Sequence, residues 1–339
     1  MSQAELIPKP PVAPADRAPD AAPRAATAFE TRRYELGEGS AVPVDADAAG
    51  HEALEKRLRK VRKKRKKLEK KPLKKRLTAE LADRHELYQL SVQSPDEDVA
   101  FLRTVYEGYR GRAPRHFRED FCGTHVLART FVETGEGCTA EGYDIDPDPV
   151  GWGLVMNARA LGPAAERLHV VLGDVREPSR RRPDVRCAQN FSYWCFTERA
   201  ELVGYFRAVY EDLADDGVFV CDLHGGSETQ EEMEEEREID AGFTYVWDQH
   251  SYRPIPGKAQ NYIHFRFEDG TELHRAFAYA WRLWGLPEVR DCLLEAGFRT
   301  VDAYWEGTDE DGESGDGNFT KDDVGEADLS WIAYLAAVK

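Results

Sequence analysis

Four short stretches place acids, amides and a glycine turn where they could hold a nucleoside. In Glu119-Asp120-Phe121-Cys122-Gly123-Thr124-His125, a tight turn around Gly123 would bring backbone N–H groups toward a ligand at a helix start. Asp144, within Gly142-Tyr143-Asp144-Ile145-Asp146, lies 25 residues after Glu119. A carboxylate there can accept two hydrogen bonds from a ribose diol. Asp174, in Gly173-Asp174-Val175, can take an adenine amino group while Val175 packs on the ring. Asn190-Phe191-Ser192-Tyr193 adds an amide, a hydroxyl and two aromatic rings. The plainer reading of Asp144 and Asp174 is turn residues at strand ends, and for Cys122 it is packing.

Groups this far apart in sequence meet only if a sheet aligns them. Short apolar runs alternate with amphipathic stretches from residue 116 to 226: RHFREDF, HVLARTFVETG, CTAEGYDID, VGWGLVMNARALG, LHVVLGDV, VRCAQNFSYW, ERAELVGYFRAVYEDLADDG and VFVCDLHGG. Strands alternating with helices of this length make right-handed βαβ units and a parallel sheet, with ligands beyond the carboxyl ends of the strands. The expected fold class is α/β: a doubly wound, mostly parallel seven-stranded sheet with an inserted antiparallel β lid and a disordered, basic N-terminal arm. The lid spans about 227–284, where GFTYVWDQHSY, AQNYIHFRF and ELHRAFAYAWRL alternate polar and apolar residues. The acidic SETQEEMEEEREID before them reads as a helix. By domain, residues 1–50 form a leader, 51–78 a basic helical arm and 79–339 the body.

The order of these motifs resembles class I S-adenosylmethionine-dependent methyltransferases. EDFCGTH is similar to their first motif, with Glu119 in the acidic position and His125 where a glycine is usual. GYDID, GDV and LADDGVFVCDL resemble the next three, and LPEVRDCLLEAGF the helix before the last two strands. The likeness covers roughly residues 80–339. It implies S-adenosyl-L-methionine as cofactor, with Glu119 and Gly123 beside its methionine part and Cys122, Thr124, Ile145 and Asn190 also among its contacts. Asp144 would bind the ribose hydroxyls, and Asp174 and Val175 would hold adenine.

Methyl transfer from a sulfonium mainly requires alignment of the acceptor. Tyr193, near a faint likeness to the N-P-P-Y signature of amino-group methyltransferases, and His224, following the fifth strand, are the candidate catalytic side chains. Trp194 and Trp284 are candidates for an aromatic wall that attracts a cation, and Arg282 for pairing a carboxylate. The bland alternatives are a core for the lid, a structural histidine and a surface ion pair. No metal ligand set is read from the sequence. The favoured activity is methylation of a small-molecule acceptor, with nitrogen ahead of oxygen or carbon. The rivals are a nucleic-acid- or ribosome-targeted methyltransferase and a non-catalytic polyanion-binding scaffold.

Charge divides the chain in two. Residues 55–76 hold 15 Lys/Arg against 2 Glu, a local +13, so the rest carries −30 of the formal net −17. Such an arm suits a polyanion, the acidic body itself or solvent. Leu54, Leu58, Val61 and Leu68 give it a thin apolar seam. Six dispersed cysteines without a CxxC pair, and no apolar leader or membrane-length run, point to a cytoplasmic protein. Exposed edges of the lid sheet suit a homo-oligomer.

Overall fold

The computed structural model describes residues 32–37, 40–43, 48–68, 77–308 and 315–339. In chain order the strands are β1 (Arg32–Gly37), β2 (Ser40–Pro43), β3 (His116–Asp120), β4 (Thr139–Asp144), β5 (Leu168–Leu172), β6 (Val185–Ala188) and β7 (Val218–Gly225). They continue with β8 (Met233–Ile239), β9 (Phe243–Arg253), β10 (Lys258–Phe267), β11 (Glu272–Arg282), β12 (Thr300–Thr308), β13 (Gly315–Lys321) and β14 (Trp331–Val338). The helices are α1 (Ala48–Leu68), α2 (Arg84–Val92), α3 (Pro95–Arg110), α4 (Val126–Glu133), α5 (Pro147–Met156), α6 (Arg199–Asp212) and α7 (Leu286–Ala296).

The main sheet has the order β13-β12-β14-β7-β6-β3-β4-β5-β1-β2. From β7 to β5 all neighbours are parallel, while β14 and β12 pair antiparallel. These seven strands are the ones expected. Three more extend the sheet: β13 on one edge and the β1–β2 hairpin on the other. The hairpin corrects the expectation of an unstructured leader through residue 50, because Arg32–Tyr34 pairs with Val170–Leu172 and closes the β5 edge. The expectations for residues 1–31 and 69–76 lie outside the described residues.

β3 and β6 are buried at every position, as central parallel strands must be. One core, under α3, α4 and α5, includes Phe117, Phe131, Trp152 and Leu168. The other, under α6 and α7, includes Tyr205, Phe206, Phe219 and Leu293. α3 starts at Pro95 with Asp96, Glu97 and Asp98 in its first turn and ends at Gly111 (φ 65°), each end matched to the helix dipole and to left-handed backbone. Among the described residues, no helix is long and apolar enough to cross a membrane.

The lid is a separate four-stranded antiparallel sheet, β11-β10-β9-β8. Its first strand corrects the expected acidic helix. The Glu run has high helix propensity, yet β8 pairs with β9 along its whole length and leaves Glu234–Glu238 exposed on an edge. Charged side chains on an edge strand block further pairing.

The basic arm is not a free appendage within the described residues. α1 packs on α5, and Leu54, Leu58 and Val61 join the core. Two glycines in α5 permit this and one further contact. A Cβ on Gly151 would stand 2.8 Å from Arg57 Cγ and 2.9 Å from Leu54 Cδ1. One on Gly153 would collide with the Thr124 carbonyl oxygen and the His125 ring. We expect Gly153→Ala to lower the stability of the fold by about 1–3 kcal/mol in urea unfolding. A change below about 0.5 kcal/mol would contradict the contact.

Candidate active site

At the carboxyl ends of β3, β4 and β6 the chain makes three tight turns, and each is held by a carboxylate. After β3, Phe121 (φ 54°), Gly123 (φ 49°) and His125 (φ 48°) all adopt left-handed backbone. Only glycine does so without strain. The Gly123 N–H donates to Asp144 Oδ2 at 2.7 Å, and the Asp146 N–H donates to Asp144 Oδ1 at 2.9 Å. Asp144 therefore ties the β3 turn to the β4 turn. Burial pushes its carboxyl up to about 6, against those two bonds.

Glu119 lies under the same turn, buried at the cavity floor. Its Oε2 accepts the Ala128 N–H at the start of α4, 2.9 Å away, and burial raises its pKa well above the usual carboxylate range. His125 occupies the position where the methyltransferase motif has glycine. Its ring is buried and held neutral, with burial pulling its pKa down to about 3. The space it takes is the space Gly153 leaves.

After β6, Asn190 and Phe191 are both left-handed at φ 55°. Asp222, near the end of β7, pins them: its Oδ2 accepts the Asn190 N–H at 2.7 Å and its Oδ1 the Phe191 N–H at 2.9 Å. Burial lifts its pKa to about 7. The fifth non-glycine residue with positive φ, Arg275 (φ 49°), sits in a bulge of β11 between the β10 partners Ile263 and Phe265. Strain of this kind persists only where surrounding structure enforces it, and it concentrates at ligand sites.

These turns face a cavity of about 620 Å³, within the usual range for small-molecule sites. Its floor is Glu119–Thr124, Asp144–Asp146 and Gln189–Asn190. Its roof comes from α2, through Arg84, His85 and Tyr88, and from β11, through Arg275–Trp281. Asp148 at the start of α5 anchors the α2 side, receiving Arg84 at 2.6 Å, His85 Nε2 at 2.9 Å and Arg57 of α1 at 2.7 Å. Tyr279 and Trp281 stack at 4.5 Å between centroids, giving the roof an aromatic face. Two cavity-lining amides, Gln93 Oε1 and Gln189 Nε2, are buried without a hydrogen-bond partner. Unsatisfied buried polar atoms are rare and costly, and here they face a cavity.

No protein-family model and no curated protein matches the chain. Solved structures do. The CcbJ methyltransferase from Streptomyces caelestis is 17% identical, with a TM-score of 0.53 over 75% of this chain and 96% of that one. An amino pentose methyltransferase from Micromonospora echinaspora, solved with S-adenosylmethionine bound, is 16% identical, with a TM-score of 0.51 over 75% and 94%. A sugar N-methyltransferase from a Streptoalloteichus species is 19% identical, with a TM-score of 0.50 over 76% and 93%. The chain has the class I methyltransferase fold.

On this methyltransferase fold the residues singled out from sequence fall into two groups. Glu119, Cys122, Gly123, Thr124, Asp144, Ile145 and Asn190 line the one cavity. Asp174 and Val175 are not on its lining. Asp174 is paired with Arg176, whose Nη2 lies 2.5 Å away, and the Val175 carbonyl accepts from Arg118 and Arg186. Nor are Tyr193, Trp194, His224, Arg282 and Trp284. Tyr193 and Trp194 are buried, because the left-handed pair before them turns the chain back into the core. His224 lies against Phe191 at 4.6 Å and Trp194 at 4.8 Å, and burial lowers its pKa to about 4. Arg282 stacks over Trp284 at 3.7 Å and donates to the Thr197 carbonyl, while the Trp284 indole donates to the Phe196 carbonyl.

Two groups within reach of an ion, His264–Glu272–His274 and Glu234–Asp248–His264, share His264. Its Nδ1 accepts the Arg275 N–H at 2.9 Å, so Nε2 carries the proton and donates to Asp248 at 3.2 Å. Nδ1 thereby holds the bulge of β11, while Nε2 is engaged with β9. Sequence reasoning missed Tyr88, Gln93, Gln189 and Phe277. Only Gln189, one residue before Asn190 at a strand end, carried a readable signal.

Because the native fold holds the Asp222 proton more tightly than the unfolded chain does, this group favours the fold fully below about pH 4, and that contribution is lost as pH rises through about 7. In urea unfolding, the advantage of wild type over Asp222→Asn is expected to shrink between pH 4 and pH 7. An advantage that grows over that range would contradict the buried placement of Asp222.

Proposed function

We propose that the protein transfers a methyl group from S-adenosyl-L-methionine to an amine on a small-molecule acceptor. The observation that carries the reading is Asp144. Its carboxylate sits on the cavity floor beside the Gly123 turn, at the carboxyl end of a parallel strand, with each oxygen anchored by one backbone N–H. Each oxygen keeps a lone pair, which suits a vicinal diol. The neighbouring Ile145 presents an exposed aliphatic side chain on the same wall, as a purine face requires. The unpartnered Gln93 and Gln189 amides suit polar groups at the other end of such a ligand.

Bound there, the cofactor supplies a methyl group already activated on a sulfonium. The protein's residues are left to align and to exclude water. Asp144 and the Gly123 turn fix the ribose end, and Gln189, on the turn after β6, borders the reacting end. The roof formed by α2 and β11 covers part of the cavity, and its Tyr279–Trp281 face favours an apolar or cationic partner through ring quadrupoles. A roof built largely from one inserted sheet encloses its acceptor, which supports a small molecule over a long polymer. Two of the similar structures are described as amino pentose and sugar N-methyltransferases, which supports nitrogen in a sugar-like acceptor.

Titration calorimetry with S-adenosylhomocysteine tests the cofactor half of this reading. Micromolar binding is expected, and Asp144→Ala is expected to weaken it about 100-fold, since two hydrogen bonds to a charged group are lost. With the Asp144 pKa near 6 and the ionised carboxylate as the acceptor, affinity should fall as pH is lowered from 7.5 to 5 and should lose that dependence in Asp144→Asn. Absence of heat from folded wild-type protein would overturn the reading.

A further inference from the structure

The outward face of α1 has no role in holding the fold. Leu54, Leu58 and Val61 face α5, Arg57 reaches Asp148, and Lys64 reaches Asp83 at 3.2 Å and the Ala82 carbonyl at 2.7 Å. Arg59, Lys60, Arg62, Lys63, Lys66 and Lys67 remain exposed. Among the described residues none of these six has an ion-pair partner, although the chain as a whole is acidic. Beside them lies a cleft of about 670 Å³, lined by Arg62, Arg65, Lys66 and Arg159 with Val155, Met156 and Ala160 and, among the described residues, no carboxylate.

We propose that this face of α1 and its flanking cleft form a docking surface for the phosphodiester backbone of a nucleic acid. Six like charges on about 12 Å of helix are mutually repulsive and are relieved by a polymer that carries regularly spaced anions. Arg62 and Arg159 at the cleft offer forked donors that match phosphate oxygens, while Arg65 donates to the Val155 carbonyl. A membrane surface fits less well, because Leu54, Leu58 and Val61 of α1 are spent on α5 and no exposed side chain among the described residues of α1 is apolar. An acidic protein fits less well too, since the exposed side chains of α1 among the described residues are all charged and, of the cleft's apolar residues, Val155 is buried and Met156 half-buried, which leaves little for a partner's core contact. The −30 carried by the rest of the chain repels a polyanion elsewhere and confines it to α1. The surface lacks aromatic rings, so it holds the backbone without reading bases.

Fluorescence anisotropy of the full chain with labelled 20-nucleotide single strands, RNA and DNA, tests this directly. Binding should be independent of sequence, with a log–log salt slope of about −4 if all six cations meet phosphates. The triple variant Lys63→Glu, Lys66→Glu, Lys67→Glu changes only exposed side chains and should lose at least tenfold in affinity and flatten the slope. No binding at low salt, affinity unchanged in the variant, or tighter binding to phosphatidylserine vesicles or a poly-glutamate peptide than to either oligonucleotide would each overturn the proposal. Oligonucleotide binding is read separately from S-adenosylhomocysteine binding, so failure here leaves the cofactor reading standing, and the reverse holds.

Discussion

A buried pair of ion pairs underlies the site. Arg118 of β3 and Arg186 of β6 are wholly buried, and both donate to Asp120, at 2.8 and 2.7 Å. Both also donate to Asp212 at the end of α6 and to the Val175 carbonyl in the turn after β5. Burial pulls the Arg118 pKa down, and Asp120, the Tyr143 ring and Asp212 more than reverse it. Taking each ion out of water costs several kcal/mol, and only complete pairing and hydrogen bonding offset that cost. Two cations, two carboxylates, the Tyr205 hydroxyl and the Ser179 hydroxyl meet that condition here. The result fixes β3, β6, α6 and the Asp174–Ser179 turn as one unit, directly behind the cavity floor.

On that base the fold can hold backbone that would not stand alone. Among the described residues, all five non-glycine residues with positive φ line the cavity or adjoin it. Each has an identifiable restraint. Asp144 holds Gly123 beside Phe121, Gly153 makes room for His125, Asp222 grips Asn190 and Phe191, and His264 accepts from Arg275. Two of those carboxyls, Asp144 and Asp222, have pKa values raised by burial to about 6 and about 7. The turns that shape the ligand site are therefore coupled to protonation in the neutral range. The same compensation explains how a histidine can replace a glycine in the first turn without disrupting it.

What the sequence makes legible is local. Asp144, the Gly123 turn and the alternation of strand and helix each depend on residues close in the chain, and each is readable there. The β8 strand is not, because an exposed edge strand needs no apolar period and its Glu run reads as helix. The β1–β2 hairpin is hidden by its Pro/Ala-rich surroundings. Tyr193, Trp194, Trp284 and His224 show the opposite limit. A dense aromatic segment looks the same whether it forms a cage or a core; the left-handed pair Asn190–Phe191 precedes the turn that buries Tyr193 and Trp194, and His224 and Trp284 are placed by tertiary packing against that turn. The roof from Arg84, Tyr88, Gln93 and β11 joins segments nearly 200 residues apart, beyond any pattern in one stretch of sequence.

The central claim is that the cavity between Asp144 and β11 is a nucleoside-cofactor site. A crystal structure with S-adenosylhomocysteine tests it most directly. Ribose hydroxyls are expected within hydrogen-bond distance of Asp144, adenine over Ile145 and the sulfur facing the Gln189 turn and the Tyr279–Trp281 wall. Ligand bound elsewhere, or in this cavity with Asp144 still unliganded, would contradict it.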